Sequence, residues 1–266
     1  MSRYFNAESI GEKTWLILEC GFDAIYYLEG SERGLLIDTG IGAADLKAFV
    51  AQIATKPYDV VLTHGHLDHI GAIWQYDRIY VNDRDIPLIQ SCTDEARIQF
   101  MLNMSEMSEG RTVNQHPADI RKRGSDPEFC SIGDESCFHL GGRDVTVFCT
   151  PGHTPGSVCL HDSLTGLLFV GDTLIYRLLL PNNDMTPQAR AEEWRRGTRR
   201  IYDHSERYTD YYMGHCGRVP DYTYEELDAL TEQYLSGQLQ LETSESAPKL
   251  CTDKTRIYFG VPFREY

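Results

Sequence analysis

Several absences bound this chain before any motif is read. It has no run of about 18 apolar residues, the length that a membrane-spanning helix needs, which excludes a helical membrane span. The first residues, Met1-Ser2-Arg3-Tyr4-Phe5-Asn6-Ala7-Glu8, lack the basic-then-apolar pattern of a secretory signal. Eight cysteines occur but no CxxC pair, and Cys20, Cys149 and Cys159 sit in or beside apolar runs, where free cysteine acts as a small hydrophobe. Reduced thiols and a cytoplasmic location are therefore expected. Positive charge is scarce: 25 Lys and Arg face 40 Asp and Glu, and the net charge of −15 disfavours nucleic acid, whose phosphates would be repelled. Internal repeats and low-complexity linkers are missing too. With 41% hydrophobic residues and a length of 266, the chain can bury a large core.

The pattern along the chain mixes strands and helices. Residues 14–20 and 24–28 read as strands, and 34–40 as a buried strand that ends in the acidic turn Asp38-Thr39-Gly40. Apolar spacing at Leu46, Phe49, Val50 and Ile53 predicts a helix over 43–54. Strands follow at 58–62 and 78–81. Helices are expected at 83–91 and 94–107, the second turning Ile98, Met101 and Leu102 to one side, before a polar loop over 109–128. Strands resume at 144–149, 157–160 and 167–170, with a hairpin turn at 162–166. Thr186-Pro187 opens a helix to about Tyr202 that buries Trp194 and Ile201. A strand at 208–213 precedes a helix to about Leu235, capped by Thr223 with Glu226 and closed at Gly237. Residues 256–260 read as an edge strand. This order implies mixed sheets with helices packed against them.

Chemistry concentrates in Thr63-His64-Gly65-His66-Leu67-Asp68-His69-Ile70-Gly71, directly after the strand at 58–62. Imidazole and carboxylate are the donors that a borderline cation such as zinc prefers. In an extended segment His64 and His66 project to one side, because side chains alternate with period two. Asp68 and His69 follow where a helix is expected to start near Gly71. The stretch thus offers two donor pairs, enough to begin two adjacent metal sites. Three further donors stand beside glycine at strand ends: His153 in Pro151-Gly152-His153-Thr154-Pro155-Gly156, Asp172 in Gly171-Asp172-Thr173, and His215 in Gly214-His215-Cys216-Gly217. Open α/β sheets place their sites at such ends. His116, His139, His161 and His204 have no such setting and are taken as surface residues.

The order HxHxDH, then a histidine in a PGHTPGS turn, then GDT, then a late histidine resembles the metallo-β-lactamase superfamily, and Asp38-Thr39-Gly40 matches that superfamily's acidic strand-end turn. The resemblance implies an α/β fold, an αββα sandwich of two mixed β-sheets flanked by helices. It implies a single domain over residues 1–266, with a helical insertion at about 83–130. It implies one metal held by His64, His66 and His153, a second held by Asp68, His69 and His215, Asp172 bridging both, and Asp38 orienting a ligand histidine. Two divalent ions follow, zinc first, though iron or manganese suits the same donors. Such a pair lowers the pKa of a bridging water and polarises the substrate oxygen, so no serine or cysteine nucleophile is required. Asp68 is the candidate proton acceptor. Tyr176, four residues after Asp172, resembles in position a tyrosine of lactonase-like members and is the candidate oxyanion donor. Packing of the turn is the other reading of Tyr176, and neighbouring Arg177 could instead meet an anionic substrate group.

Substrate class follows by elimination. A secreted β-lactamase would carry an export signal. Glutathione thioester hydrolases of the superfamily have a larger, basic helical C-terminal region, whereas only an acid-rich tail follows Asp221 here. Ribonuclease-type members need a nucleic-acid surface, and flavin-linked diiron members replace the second histidine, here His66, with glutamate. A small-molecule ester, thioester or lactone hydrolase remains. A mononuclear-iron persulfide dioxygenase using His64, His66, His153 and Asp172, or a phosphodiesterase, stays open. The insertion leaves room for a lid, a homodimer contact or a flanking ornament.

Overall fold

The computed structural model describes residues 4–107, 122–181, 185–242 and 247–259. The first sheet has seven strands in chain order: β1 (Phe5–Gly11), β2 (Thr14–Glu19), β3 (Asp23–Glu29), β4 (Gly34–Ile37), β5 (Tyr58–Val61), β6 (Arg78–Val81) and β7 (Glu128–Ser131). It begins as an antiparallel meander, and from β4 onward its neighbours run parallel. Composition explains the change. Gly34–Ile37 is buried throughout, the continuous apolar run of a strand covered on both faces.

The second sheet takes β8 (Cys137–His139), β9 (Asp144–Cys149), β10 (Val158–Asp162) and β11 (Leu167–Gly171). The chain then leaves it for β12 (Arg177–Leu180) and returns as β13 (Asp210–Met213), giving the order β13-β11-β10-β9-β8. A third, small sheet joins β12 to β14 (Lys249–Cys251) and β15 (Arg256–Phe259) in the order β12-β15-β14.

Three cores hold these layers together. Between the two large sheets, Tyr26, Leu28, Leu35, Ile37 and Val61 meet Val145, Val147, Leu160 and Phe169. The other face of the first sheet is covered by α1 (Leu46–Val50), α2 (Ile86–Ser91) and α3 (Asp94–Met107), which bury Leu46, Val50, Ile89 and Met101 against Tyr27, Leu36 and Ile79. The other face of the second sheet is covered by α4 (Pro187–Tyr202), α5 (Thr223–Leu235) and the small sheet. Trp194 of α4 is fully buried there, and its loss would cost about 3–5 kcal/mol. The layers are helix, sheet, sheet, helix: the expected αββα sandwich. Among the described residues, no helix is long and apolar enough to cross a membrane.

Several expectations are corrected. The helix expected at 43–54 shortens to α1, capped by Asp45, which accepts from the amide of Ala48 at 2.9 Å. β1, β7, β8, β12 and β14 were not foreseen, and β7 takes the last residues of the stretch of about 83–130 that the sequence set apart. Residues 108–121, most of the expected loop, lie outside the described residues. Among the described side chains of α3, Arg97 and Met101, one turn apart, are buried, and Leu102 is exposed. β15 is the central strand of its sheet, not an edge, because β12 and β14 flank it with Leu178, Leu180 and Leu250 buried. Thr223 does not cap α5: the helix starts after Tyr222, and the Glu226 carboxylate accepts from Thr252 and Thr255 instead. Gly237 does close it, at φ +76°, with Gln238 and Gly237 donating back to Gln233 and Tyr234.

Candidate metal centre

The topology explains why distant residues meet. β9, β11 and β13 point the same way in the second sheet, so His153, Asp172 and His215, which follow them, emerge at one edge. The loop after β5 faces them from the first sheet. The helix that the sequence led us to expect near Gly71 is only one 3-10 turn, Ile73–Gln75, and Asp68 and His69 lie in the loop before it. Gly71 packs against Ile41, its amide donating to Gly40 at 2.6 Å, and the backbone there pairs with the 38–42 loop. A Cβ on Gly214 would stand 2.4 Å from Asp172 Oδ1 and 2.5 Å from the His69 ring, so only glycine lets the His215 loop come this close.

All seven predicted donors are gathered and buried. Donor atoms of His64, His66 and His153 lie within 4.8 Å of one another, as do those of Asp68, His69 and His215, and those of His64, His69 and Asp172. Asp172 touches both triads: Oδ2 lies 3.2 Å from His215 Nε2 and 3.7 Å from His153 Nε2, and Oδ1 lies 3.6 Å from His69 Nε2. Asp68 Oδ2 is 3.5 Å from His215 Nε2.

Neighbours orient the rings. His69 Nδ1 donates to Asp38 Oδ2 at 3.0 Å, leaving Nε2 inward. Asp38 also accepts from the amide and hydroxyl of Thr63, each at 2.7 Å. That spends the Thr63 proton, so its oxygen accepts from His64 Nδ1 at 3.0 Å. His153 Nδ1 donates to the carbonyl of Leu179 at 2.9 Å, and its Nε2 accepts from His66 Nδ1 at 2.8 Å. Asp38 holds φ +62°, a left-handed conformation that aspartate tolerates better than most residues and that costs on the order of 1 kcal/mol or more.

The donor set fits a metal. His64 Nε2, His69 Nε2, Asp68 Oδ1 and Asp172 Oδ1 are buried with no hydrogen-bond partner among the described residues, a costly arrangement unless another group completes it. Titration divides the centre in two. Burial, then the neighbouring imidazoles, holds His64 and His66 well below the usual histidine range, and burial also lowers His153. Burial opposes charge on His69 and His215 as well, but there the surrounding carboxylates win: His69 rises to about 9, and His215 is raised well above its usual value. Asp172, despite burial, is held well below the carboxylate range by His215 and His69, while burial pushes Asp68 up. Three neutral histidines thus face an acid-rich half.

Other residues emerge only in three dimensions. Asp23 Oδ1 lies 3.4 Å from His215 Nδ1, and the Phe22 ring packs 4.4 Å from the His215 ring. Asp85, fully buried, reaches the loops of both His64 and His153. Each is one more acidic residue at a strand or turn end, a signal too weak to separate from surface aspartates. Tyr176 is not among the gathered residues: its ring is half-buried against the core under α4 and α5, and Arg177 is exposed. Of the histidines set aside, His139 and His204 are exposed, His161 is half-buried with its ring edge-on to Tyr208, and His116 lies outside the described residues. An exposed fourth group of metal-donor type, Cys137, His139 and Asp144, arises from the pairing of β8 with β9.

Residues 18–215 match the family model of the metallo-beta-lactamase superfamily, and the chain belongs to that superfamily. It is a metal-dependent hydrolase. It is 27% identical over 208 residues to the acyl-coenzyme A thioesterase MBLAC2 of Bos taurus, covering 72% of this chain and 73% of that one. Hydroxyacylglutathione hydrolase of Klebsiella pneumoniae is 27% identical over 146 residues, covering 55% of this chain and 44% of that enzyme. The solved metallo-beta-lactamase from Pontibacter korlensis shares the fold at TM-score 0.56 and 17% identity, over 89% of this chain and all of that one.

Proposed function

We propose that this chain hydrolyses a thioester between an acyl group and a small thiol carrier, using two divalent metal ions, zinc foremost. The carrying observation is the convergence of seven buried side chains whose inward donor atoms include four without a hydrogen-bond partner among the described residues. His64, His66 and His153 would hold one ion, and Asp68, His69 and His215 the other, with Asp172 reaching both. When bound, such a pair supplies a water activated near neutral pH and polarises the carbonyl of the substrate. The protein's own part is orientation and proton handling. Asp38, Thr63 and the Leu179 carbonyl fix the rings of His69, His64 and His153 so that one nitrogen of each faces inward. Asp68 keeps one oxygen unpartnered and has a raised pKa, which suits it to take up the proton that hydrolysis releases and to pass it to the leaving thiolate.

Thioester is preferred over ester or lactone because both relatives described above act, by name, on acyl groups carried by coenzyme A or glutathione, which are thiols. A complete second cluster, Asp68, His69 and His215, weighs against the mononuclear-iron alternative. Eight free cysteines support a reducing, cytoplasmic setting. The test is a panel of acyl-coenzyme A, acylglutathione, lactone and phosphodiester substrates, before and after removal of metal with a chelator. Thioester hydrolysis that disappears on chelation and returns with zinc is expected. Activity confined to phosphodiesters, or oxygen consumption with a persulfide, would overturn the reading.

A further inference from the structure

Asp85 sits in the turn Asp83–Asp85 that leads from β6 into α2, and its side chain is fully buried. It touches neither sheet's ladder, yet it binds the two loops that bring three histidines together. Its Oδ2 accepts from the amide of Gly65, the residue between His64 and His66, at 2.8 Å. The same oxygen accepts from the hydroxyl of Thr154, the residue after His153, at 2.6 Å. Its Oδ1 accepts from the amide of Gly156 at 2.7 Å. Three donors from two separate loops thus converge on one buried carboxylate.

The glycines on either side are shaped to Asp85, Gly156 to its carboxylate and Gly65 to its backbone carbonyl. A Cβ on Gly156 would stand 2.6 Å from Asp85 Cγ, and one on Gly65 would stand 3.0 Å from the Asp85 carbonyl oxygen. Neither glycine has a positive φ, so space and not backbone freedom requires them. The loops themselves come from different sheets, after β5 and after β9. One backbone bond joins them, from the amide of Val158 to the carbonyl of Thr63 at 2.8 Å. Beyond it, Asp85 bridges the segments that carry His66 and His153.

We infer that Asp85 is a positioning residue for the His64, His66 and His153 site: through Gly65, Thr154 and Gly156 it presets the separation of the two histidine-bearing loops before any ion arrives. The inference rests on the metal reading above and adds to it a specific anchor, contributed by a third element, that touches no ligand atom itself. It also gives a physical reason for the glycine between the paired histidines and for the glycine three residues after His153.

The test uses cobalt(II) as probe on the full chain, stripped of metal and titrated against a chromophoric chelator. Asp85→Asn is the decisive variant. Its amide can still accept from Gly65 and Thr154 but sets an NH2 group against the Gly156 amide. We expect its cobalt affinity to fall about tenfold or more and its visible absorption bands to change in position or intensity, with the metal-free protein still folded. Gly156→Ala should act in the same direction, and in an Asp85→Ala background it should add less than it does alone, because the clashes with Cγ and Oδ1 are gone while that with Cβ, at 2.9 Å, stays. Should Asp85→Ala not fold, Asp85→Asn and Gly156→Ala decide. A purely structural role would lower the unfolding temperature while leaving bands and affinity of the folded variants as in wild type, and that result overturns the inference. A wild-type protein that takes up no cobalt overturns the metal reading itself, and this inference with it.

Discussion

Imidazole has two nitrogens, and a histidine becomes a dependable ligand only when one of them is engaged. His64, His69 and His153 each have Nδ1 bonded to a neighbour and Nε2 turned inward. The donors themselves could be read from spacing, because HxHxDH and the three glycine-flanked strand ends are local patterns. Their supports could not: Asp23 and Asp85 reach His215 and the histidine loops across large sequence gaps, and alone each resembles any acidic turn residue. Tyr176 shows the opposite case, a residue singled out by position whose ring packs against the core beneath α4. Tyr176→Phe should therefore leave kcat/KM within about threefold, whereas loss of an oxyanion donor would lower kcat by about 100-fold or more. Steady-state kinetics on the best thioester of the panel separates the two.

At the scale of elements, legibility followed length and periodicity. Long amphipathic helices such as α4 stood out, with Thr186 accepting from the amide of Ala189 and Pro187 in the first turn. The short strands β7 and β8 carry only four and three residues and little apolar contrast, so only their partners β6 and β9 define them. α3 reaches the loops of the centre through Arg97. Arg97, fully buried, donates to the carbonyls of Ile41 at 3.2 Å and Gly71 at 2.9 Å, pairs with Asp94, and lies 4.9 Å from the Trp74 ring. Gly71 closes the motif that carries Asp68 and His69, so α3 braces that loop from behind. Arg97→Ala leaves these carbonyls and Asp94 without their cation, and we expect a loss of about 3 kcal/mol in chemical denaturation. A loss below about 0.5 kcal/mol would show that α3 is only draped on the sheet.

At the scale of the whole molecule, the two sheets are tied by charge as well as by their shared core. Arg143, fully buried, pairs with Asp162 at 2.6 Å in the second sheet and donates to the carbonyls of Lys13 and Glu29 in the first. A second buried acid makes stability depend on pH. Burial, aided by the charge of Asp23, raises the Glu19 pKa from 4.5 to about 8, although the amides of Gly42 and Ala43 donate to it. The folded state thus keeps a proton that the unfolded chain has already released, and stability must fall as pH rises from about 4.5 to about 8. Thermal unfolding should show that decline in wild type, and Glu19→Gln should flatten it by an amount on the order of a few kcal/mol across the window. Identical slopes in the two proteins would refute the assignment. The central claim is that the meeting of four strand ends makes a centre for two ions. Metal content per chain, measured by elemental analysis of protein purified without chelator, tests it most directly. About two equivalents of zinc or a similar divalent ion are predicted, whereas a single iron per chain, or no bound metal, would contradict the account.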